Sequence, residues 1–138
     1  MTLQNILLET HSGIRWLVIL AALVVLVKHI LGLVQKAEYD RFSRISFSAF
    51  SGLMDLNVLI GLIQLIAFWS IWSAGGFPRQ QVEHLTVMLI ATIVAHLPSR
   101  LWKDKAASIR YRNGLFAVIG VLVLVFIGVS VLPGNRWF

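Results

Sequence analysis

Four long apolar blocks, separated by short polar segments, dominate the pattern along the chain. They cover roughly residues 14–34, 46–72, 82–102 and 114–132. About 20 residues of helix cross a hydrocarbon layer about 30 Å thick, so each block is long enough to span a bilayer. With their polar flanks, the blocks predict helices over about residues 3–36, 43–73, 80–102 and 110–132.

The short loops between these blocks predict how the helices are arranged. Consecutive helices joined by short loops pack as antiparallel neighbours. The predicted fold class is therefore all-α: an integral membrane up-down-up-down four-helix bundle, with residues 1–138 as a single transmembrane domain. In such a bundle the first and third helices face each other diagonally across the core.

Basic residues are distributed unevenly between the loops. The first and third loops, with the end of the third block, hold eight: Lys36, Arg41, Arg44, Arg100, Lys103, Lys105, Arg110 and Arg112. The second loop and the tails hold two, Arg79 and Arg136. The positive-inside rule then places both termini outside. In this orientation four tryptophans fall at the outer boundary of the membrane, where indole rings prefer to lie: Trp16, Trp69, Trp72 and Trp137.

The composition excludes several classes of protein. Hydrophobic residues make up 58% of the chain, far above the usage of soluble domains. Without cysteine there are no disulfides, thiolate metal sites, iron–sulfur clusters or c-type haem attachments. The net charge of +6 lies mostly in two loops, so membrane orientation explains it and no nucleic-acid partner is expected.

The four histidines lie only in the first and third predicted helices. Imidazole is costly in hydrocarbon unless it has a partner, so these residues are candidates for function. Measured from the midpoints of the two blocks, His29 and His96 agree in depth to about 1.5 Å. His11 and His84 differ by about 7.5 Å.

The spacing of the histidines predicts their directions. His11 and His29 are 18 residues apart, or five whole turns, and share one face of the first helix. His84 and His96 are 12 residues apart and point about 120° away from each other. The third helix must bend or rotate for both of its histidines to face the first.

Two imidazoles from facing helices can serve as the axial ligands of a haem iron. His11 with His84, and His29 with His96, are the two candidate pairs. Arg15 lies one turn after His11, where its guanidinium could pair with a haem propionate. Met88 lies one turn after His84 and could contact a porphyrin, although a core methionine is commoner. Lys28 could serve the inner pair in the same way as Arg15 serves the outer one.

Asp55 is the only carboxylate well inside a predicted span. An unpaired carboxylate there becomes protonated or finds a partner. It could accept the N–H of an axial histidine, lie on a proton path to a quinone, or form an ion pair with Lys28. These alternatives stay open at the level of the sequence.

The layout resembles the haem-bearing bundle of membrane b-type cytochromes. The segments His11-Ser12-Gly13-Ile14-Arg15-Trp16 and Glu83-His84, followed by Met88, also resemble small four-helix bacterial membrane proteins described as cytochrome-b-like. The resemblance implies b-type haem, electron transfer, the bacterial inner membrane and a quinone as a candidate partner. The unequal histidine spacings depart from the cytochrome b pattern, so both one and two haems are considered.

The sequence therefore predicts a membrane b-type cytochrome that transfers electrons, alone or within a larger complex of membrane subunits, rather than a stand-alone enzyme. The alternative is a cofactor-free accessory subunit of a respiratory or photosynthetic complex, in which the histidines and Asp55 serve packing. A third hypothesis is a small carrier of protons or metal ions.

Overall fold

The computed structural model describes residues 1–134, so Arg136 and Trp137 lie outside the described part of the chain. The described residues form four long helices and one short one, with no strand among them. The helices are α1 (Leu3–Val34), α2 (Arg41–Ala67), α3 (Trp69–Trp72), α4 (Arg79–Leu101) and α5 (Ala107–Ser130). The predicted all-α class is confirmed.

The four long helices, α1, α2, α4 and α5, are each long and apolar enough to cross a membrane. Their outer faces carry large apolar side chains in contact with the surroundings, such as Leu20, Ile93 and Phe126, which are 59%, 63% and 61% exposed. Such a surface suits lipid rather than water. These features indicate a multi-pass membrane protein.

The bundle is closed by four pairs of neighbouring helices. Within the described residues α1 packs against α2 and α5, and α4 packs against the same two helices, while the backbones of α1 and α4 stay apart. The core between them contains small residues, including Ala22, Ala91 and Ala95, all buried. Because α1 and α4 are separated by the bundle centre, only long side chains can meet across it.

Two helix boundaries are set by local hydrogen bonds. The first helix ends at Val34, where Lys36 takes the left-handed conformation with φ of 51°. The amides of Lys36 and Ala37 then reach the carbonyls of Leu33 and Gly32, a pattern that ends helices. The second begins after Asp40, whose carboxylate accepts a 2.9 Å hydrogen bond from the Ser43 amide.

The second predicted helix is interrupted. Phe68, with φ of −115° and ψ of 23°, ends α2, and the single turn of α3 follows. The apolar pattern continues through this break. The sequence analysis does not predict it, because hydropathy does not report backbone angles.

The eight basic residues lie within two segments, residues 35–44 and 98–112, which we call together the basic end. Two contacts join its parts: the Tyr111 hydroxyl donates to the Glu38 carbonyl at 2.7 Å, and Arg44 and Pro98 line one cavity. At the opposite end the Gln64 amide donates to the Leu7 carbonyl at 2.7 Å.

Candidate functional site

The structure brings His11 and His84 together across the centre of the bundle. Their ring centroids are 6.1 Å apart and their planes are inclined by 79°. His11 comes from α1 and His84 from α4, the two helices whose backbones do not touch. The two imidazoles therefore meet across the gap between these two backbones.

Each of these rings is fixed by a hydrogen bond to a neighbouring helix. The His11 Nδ1–H donates to the Asn57 carbonyl of α2 at 3.0 Å, and the His84 Nδ1–H donates to the Gly128 carbonyl of α5 at 2.6 Å. A carbonyl oxygen only accepts, so the proton of each neutral ring is on Nδ1 and the lone pair is on Nε2. Histidines that bind metals are commonly oriented in this way.

A cavity of about 550 Å³ lies beside the two rings. Arg15 and Met88 line it together with both histidines. Its wall also includes apolar side chains of all four long helices, together with the polar residues Gln4, Glu9 and Gln81. Pockets of a few hundred cubic ångströms, mostly apolar with a few polar groups, are typical sites for small molecules and cofactors.

Two glycines give the rings their space. A Cβ at Gly61 would lie 3.2 Å from Cε1 of His11, and a Cβ at Gly128 would collide with the methyl group of Met88 and lie 3.6 Å from Nδ1 of His84. From the sequence these residues predict only helix packing, and the role of the Asn57 carbonyl is not visible there. The sequence signal for these contacts is a glycine on the neighbouring helix at the level of each histidine. Recognising it requires the relative register of the helices, which the sequence does not provide.

Asn57 contributes a second polar feature to the same cavity. Its side-chain oxygen is buried and accepts no hydrogen bond within the described residues. A buried acceptor without a donor costs about 1–3 kcal/mol. A water or a ligand with a hydrogen-bond donor would remove this cost, so the cavity suits an occupant with some polar character.

The structure does not bring His29 and His96 together, which corrects the predicted inner pair. His29 is fully buried, with its Nδ1–H donating to the Val25 carbonyl at 2.9 Å and its Nε2 3.3 Å from the Tyr39 hydroxyl. Burial raises the pKa of the Tyr39 phenol, so this hydroxyl stays protonated and donates to Nε2. Both ring nitrogens of His29 are thus engaged within the protein.

The surroundings of His29 leave no open side for a porphyrin. The rings of Tyr39, Phe47 and Tyr111 lie with their centroids 5.3–5.6 Å from that of His29. A Cβ at Gly114 would be 2.7 Å from Nε2 of His29. His29 is a packed core residue at the level where α1 meets α5.

His96 instead pairs with Asp55 of α2. Its Nε2–H donates to Oδ1 of Asp55 at 2.7 Å, and the two side chains are 39% and 50% exposed. The contact that Asp55 was expected to make with a histidine is present, but this histidine faces away from the cavity. The alternative ion pair of Asp55 with Lys28 is wrong, because Lys28 reaches the end of its helix and binds Asp40 at 3.0 Å.

Helix register and direction explain why the outer pair meets and the inner pair does not. His11 is eight residues into α1 and His84 is five residues into α4. Counted from the helix starts, the two histidines therefore differ in depth by about 4.5 Å, less than the value of about 7.5 Å obtained from the block midpoints. His96 matches His29 in depth. It is turned about 120° from His84, however, and with His84 facing the cavity it points to α2.

Of the two predicted histidine pairs, the outer pair is the one whose rings are in contact. The two imidazoles come from different helices and each keeps an unprotonated Nε2, so they would be the protein's two ligands to a haem iron. A haem iron needs only two ligands from the protein, because the porphyrin supplies the others. Within residues 1–134 no three histidine, aspartate or glutamate side chains gather closely enough to hold a metal ion by themselves.

Comparison with known proteins adds no assignment: no protein-family model matches the chain, and no curated protein or solved structure is significantly similar to it.

Proposed function

We propose that this protein is a membrane b-type cytochrome that holds one haem between His11 and His84 and transfers electrons. The observation that carries the proposal is the pair of imidazoles at 6.1 Å, each with Nδ1 bound to a backbone carbonyl and Nε2 left as a base. The adjoining cavity of about 550 Å³ provides the volume that a planar cofactor needs. The inner pair is not part of the proposal, so one haem is expected rather than two.

Individual residues would have distinct tasks toward the haem. His11 and His84 would bind the iron, which supplies one-electron redox chemistry when the haem is bound. Arg15 lines the cavity one turn from His11, where a guanidinium would pair with a propionate. Met88 would pack against the macrocycle, and the Asn57 and Gly128 carbonyls orient the two ligands and raise their basicity.

The resemblance and the charge pattern support the cellular setting of this proposal. The chain would run up-down-up-down through the bacterial inner membrane with both termini outside and the basic end in the cytoplasm. Electrons would then pass between the haem and a quinone or a neighbouring membrane subunit, since the short loops offer little surface to a soluble partner.

Optical spectra of the purified protein test the proposal. Protein prepared in detergent from cells that make haem is expected to show the bands of a b-type cytochrome on dithionite reduction, with one haem per chain. His11→Ala and His84→Ala should each remove these bands, whereas His96→Ala, at the exposed pair with Asp55, should leave them unchanged. A colourless wild-type protein would contradict the proposal.

A rescue experiment separates ligation from folding. His84→Gly leaves space beside the cavity, so added imidazole is expected to restore the haem spectrum of this variant. Restoration by imidazole but not by an equal concentration of pyrrole would show that a ligand nitrogen was lost. Failure of both, in a protein that remains helical by circular dichroism, would argue that His84 does not bind iron.

The rival function is that of a cofactor-free accessory subunit. The hydrogen bonds that join His11 to α2 and His84 to α5 favour it, because they also tie helices together without any cofactor. In that case the purified protein would be colourless and both histidines could be replaced by glutamine with little loss of helix content. Co-purification with a larger membrane complex would then support the rival.

A further inference from the structure

A second cavity, of about 220 Å³, lies at the basic end between α2, α4 and the start of α5. It is separate from the histidine cavity, with which it shares no lining residue. Three of the eight basic residues of this end converge on it: Arg44, Lys103 and Arg110. The positive-inside rule requires basic residues near this end but does not require that they surround one cavity.

Within the described part of the chain, none of these three cations forms an ion pair with an acidic residue. The ion pairs within residues 1–134 are Lys28–Asp40, Arg79–Glu83 and His96–Asp55, and none of them includes a residue of this cavity. No aspartate or glutamate lines the cavity either. Three positive charges around one concave surface repel one another, so an anion that enters it stabilises all three.

Two of the cations are held in place by neutral contacts. The guanidinium of Arg110 lies over the Tyr39 ring, 3.9 Å from its centroid, and Nη1 of Arg44 lies 3.4 Å from the Tyr39 carbonyl oxygen. Such contacts restrict the side chains without neutralising their charge. The remaining N–H groups keep the planar geometry that suits the oxygens of a phosphate.

The rest of the cavity is suited to the membrane interface. Trp102 and Ser99 come from the end of α4, and Ser48 from the first turns of α2. The indole is half-buried, and tryptophan prefers the level of the lipid headgroups. The cavity thus combines hydroxyl groups, basic groups and an interfacial ring at an end of helices that can cross a bilayer.

We propose that this cavity binds the phosphate group of an acidic phospholipid. Arg44, Lys103 and Arg110 would surround the phosphate, with Ser48 and Ser99 as additional donors and Trp102 beside the glycerol. Basic pockets between membrane helices are suited to anionic headgroups. The bound lipid would connect α2, α4 and α5 at the basic end.

Lipid binding by the full-length protein tests this inference. Protein in a neutral detergent, freed of native lipid, is titrated with phosphatidylglycerol or with phosphatidylcholine, and lipid adducts are counted by native mass spectrometry. The wild type is expected to bind one phosphatidylglycerol in preference to phosphatidylcholine. The variant R44Q/K103Q/R110Q should bind it at least about tenfold more weakly, because charge-assisted hydrogen bonds to the phosphate are lost.

A matched variant controls for net charge. K36Q/K105Q/R112Q removes three exposed charges from the same end but none from the cavity, so it should bind phosphatidylglycerol within about threefold of the wild type. Equal losses in the two triple variants, or no loss in either, would overturn the proposal. Lys103 is exposed and its replacement does not disturb packing, so the single variant K103Q tests the site if the triple variant fails to fold.

A third arm distinguishes the source of the phosphate. Inorganic phosphate at millimolar concentration should neither raise the melting temperature of the wild type nor displace bound phosphatidylglycerol. If phosphate alone raised the melting temperature as much as the lipid does, and R44Q/K103Q/R110Q abolished the effect, the lipid assignment would be overturned in favour of a site for a free anion.

Discussion

At the scale of single residues, close approach between helices decides where the histidines can lie. Gly128 allows the Met88 methyl group and the His84 ring to pack on α5, and Gly114 does the same for the His29 ring on that helix. A side chain at either position would occupy space that a buried ring already fills. The same small residues that let α5 approach its neighbours therefore also shape the cavity and the aromatic cluster.

Gly114→Ala is expected to destabilise the protein, by about 1–3 kcal/mol, as is usual when a methyl group is forced into a packed core. The reason is the 2.7 Å approach of the new Cβ to Nε2 of the fully buried His29. Unfolding in detergent, followed by circular dichroism, measures the loss. Gly52→Ala is the control, because nothing lies within 4 Å of its Cβ and alanine favours the helix by about 1 kcal/mol.

An equal loss of stability in both variants would contradict this explanation, since it would then come from the helices themselves rather than from the His29 ring. The free energy of unfolding is predicted to fall in Gly114→Ala and to rise in Gly52→Ala. Because the two changes differ in sign, the comparison does not depend on the absolute stability of the protein.

At the scale of helices, Asp40 joins the end of α1 to the beginning of α2. Its carboxylate accepts from the amide and the hydroxyl of Ser43 and from Nζ of Lys28. These hydrogen bonds, first those from Ser43 and then that from Lys28, hold the pKa of Asp40 well below its usual range. The same Ser43 hydroxyl lies 3.0 Å from that of Tyr111, so the junction extends to α5.

This lowered pKa predicts how Asp40 contributes to stability as the pH changes. A carboxylate with a depressed pKa in the folded state stabilises the protein above the ordinary aspartate value near 4, and the contribution is lost as the pH falls through the folded pKa. Asp40→Asn keeps a capping side chain but removes the charge. The melting temperature of the wild type should therefore exceed that of the variant at pH 6–7, and the difference should shrink below about pH 4.

Asp104→Asn is the matched control, because Asp104 is exposed and forms no ion pair within the described residues. Its replacement should leave the melting temperature nearly unchanged over the same range of pH. A difference between wild type and Asp40→Asn that does not depend on pH would mean that shape, and not charge, determines the role of Asp40 at this junction.

At the scale of the whole molecule, the chain combines an apolar outer surface with two distinct cavities. The histidine cavity lies between α1 and α4, and the basic cavity lies at the end where residues 35–44 and 98–112 meet. The proposed orientation places the haem toward the outer face of the membrane and the lipid phosphate toward the cytoplasm. The side of the membrane on which each of these sites lies therefore depends on which loops face the cytoplasm.

Single cysteines test the orientation, since the protein has none of its own. Ala74, between α3 and α4, and Ala106, between α4 and α5, are both exposed and suit labelling by a membrane-impermeant maleimide. Ala74→Cys should react in intact spheroplasts, and Ala106→Cys only in inverted vesicles. The reverse pattern would refute the orientation, and labelling of both from one side would refute the up-down-up-down arrangement.

The sequence by itself determined the features that depend on local composition. Four runs of about 20 apolar residues predict four helices in a bilayer, because the backbone N–H and C=O groups of each run have no water there and must hydrogen-bond within the segment. The helix positions and the uneven distribution of basic residues were accessible in this way, and His11, His84, Arg15 and Met88 could be identified as candidates without knowing which of them meet. The break at Phe68 was not accessible, since it depends on backbone angles that hydropathy does not encode.

Only the tertiary structure decided which polar residues meet. Depth along the helices favoured His29 with His96, whereas rotation and stagger bring His11 to His84, His96 to Asp55 and Lys28 to Asp40. The physical reason is that a helix turns by about 100° per residue, so a small error in rotation or register redirects a side chain to a different neighbour. The convergence of Arg44, Lys103 and Arg110 on one cavity has the same origin, because it depends on how three helices pack.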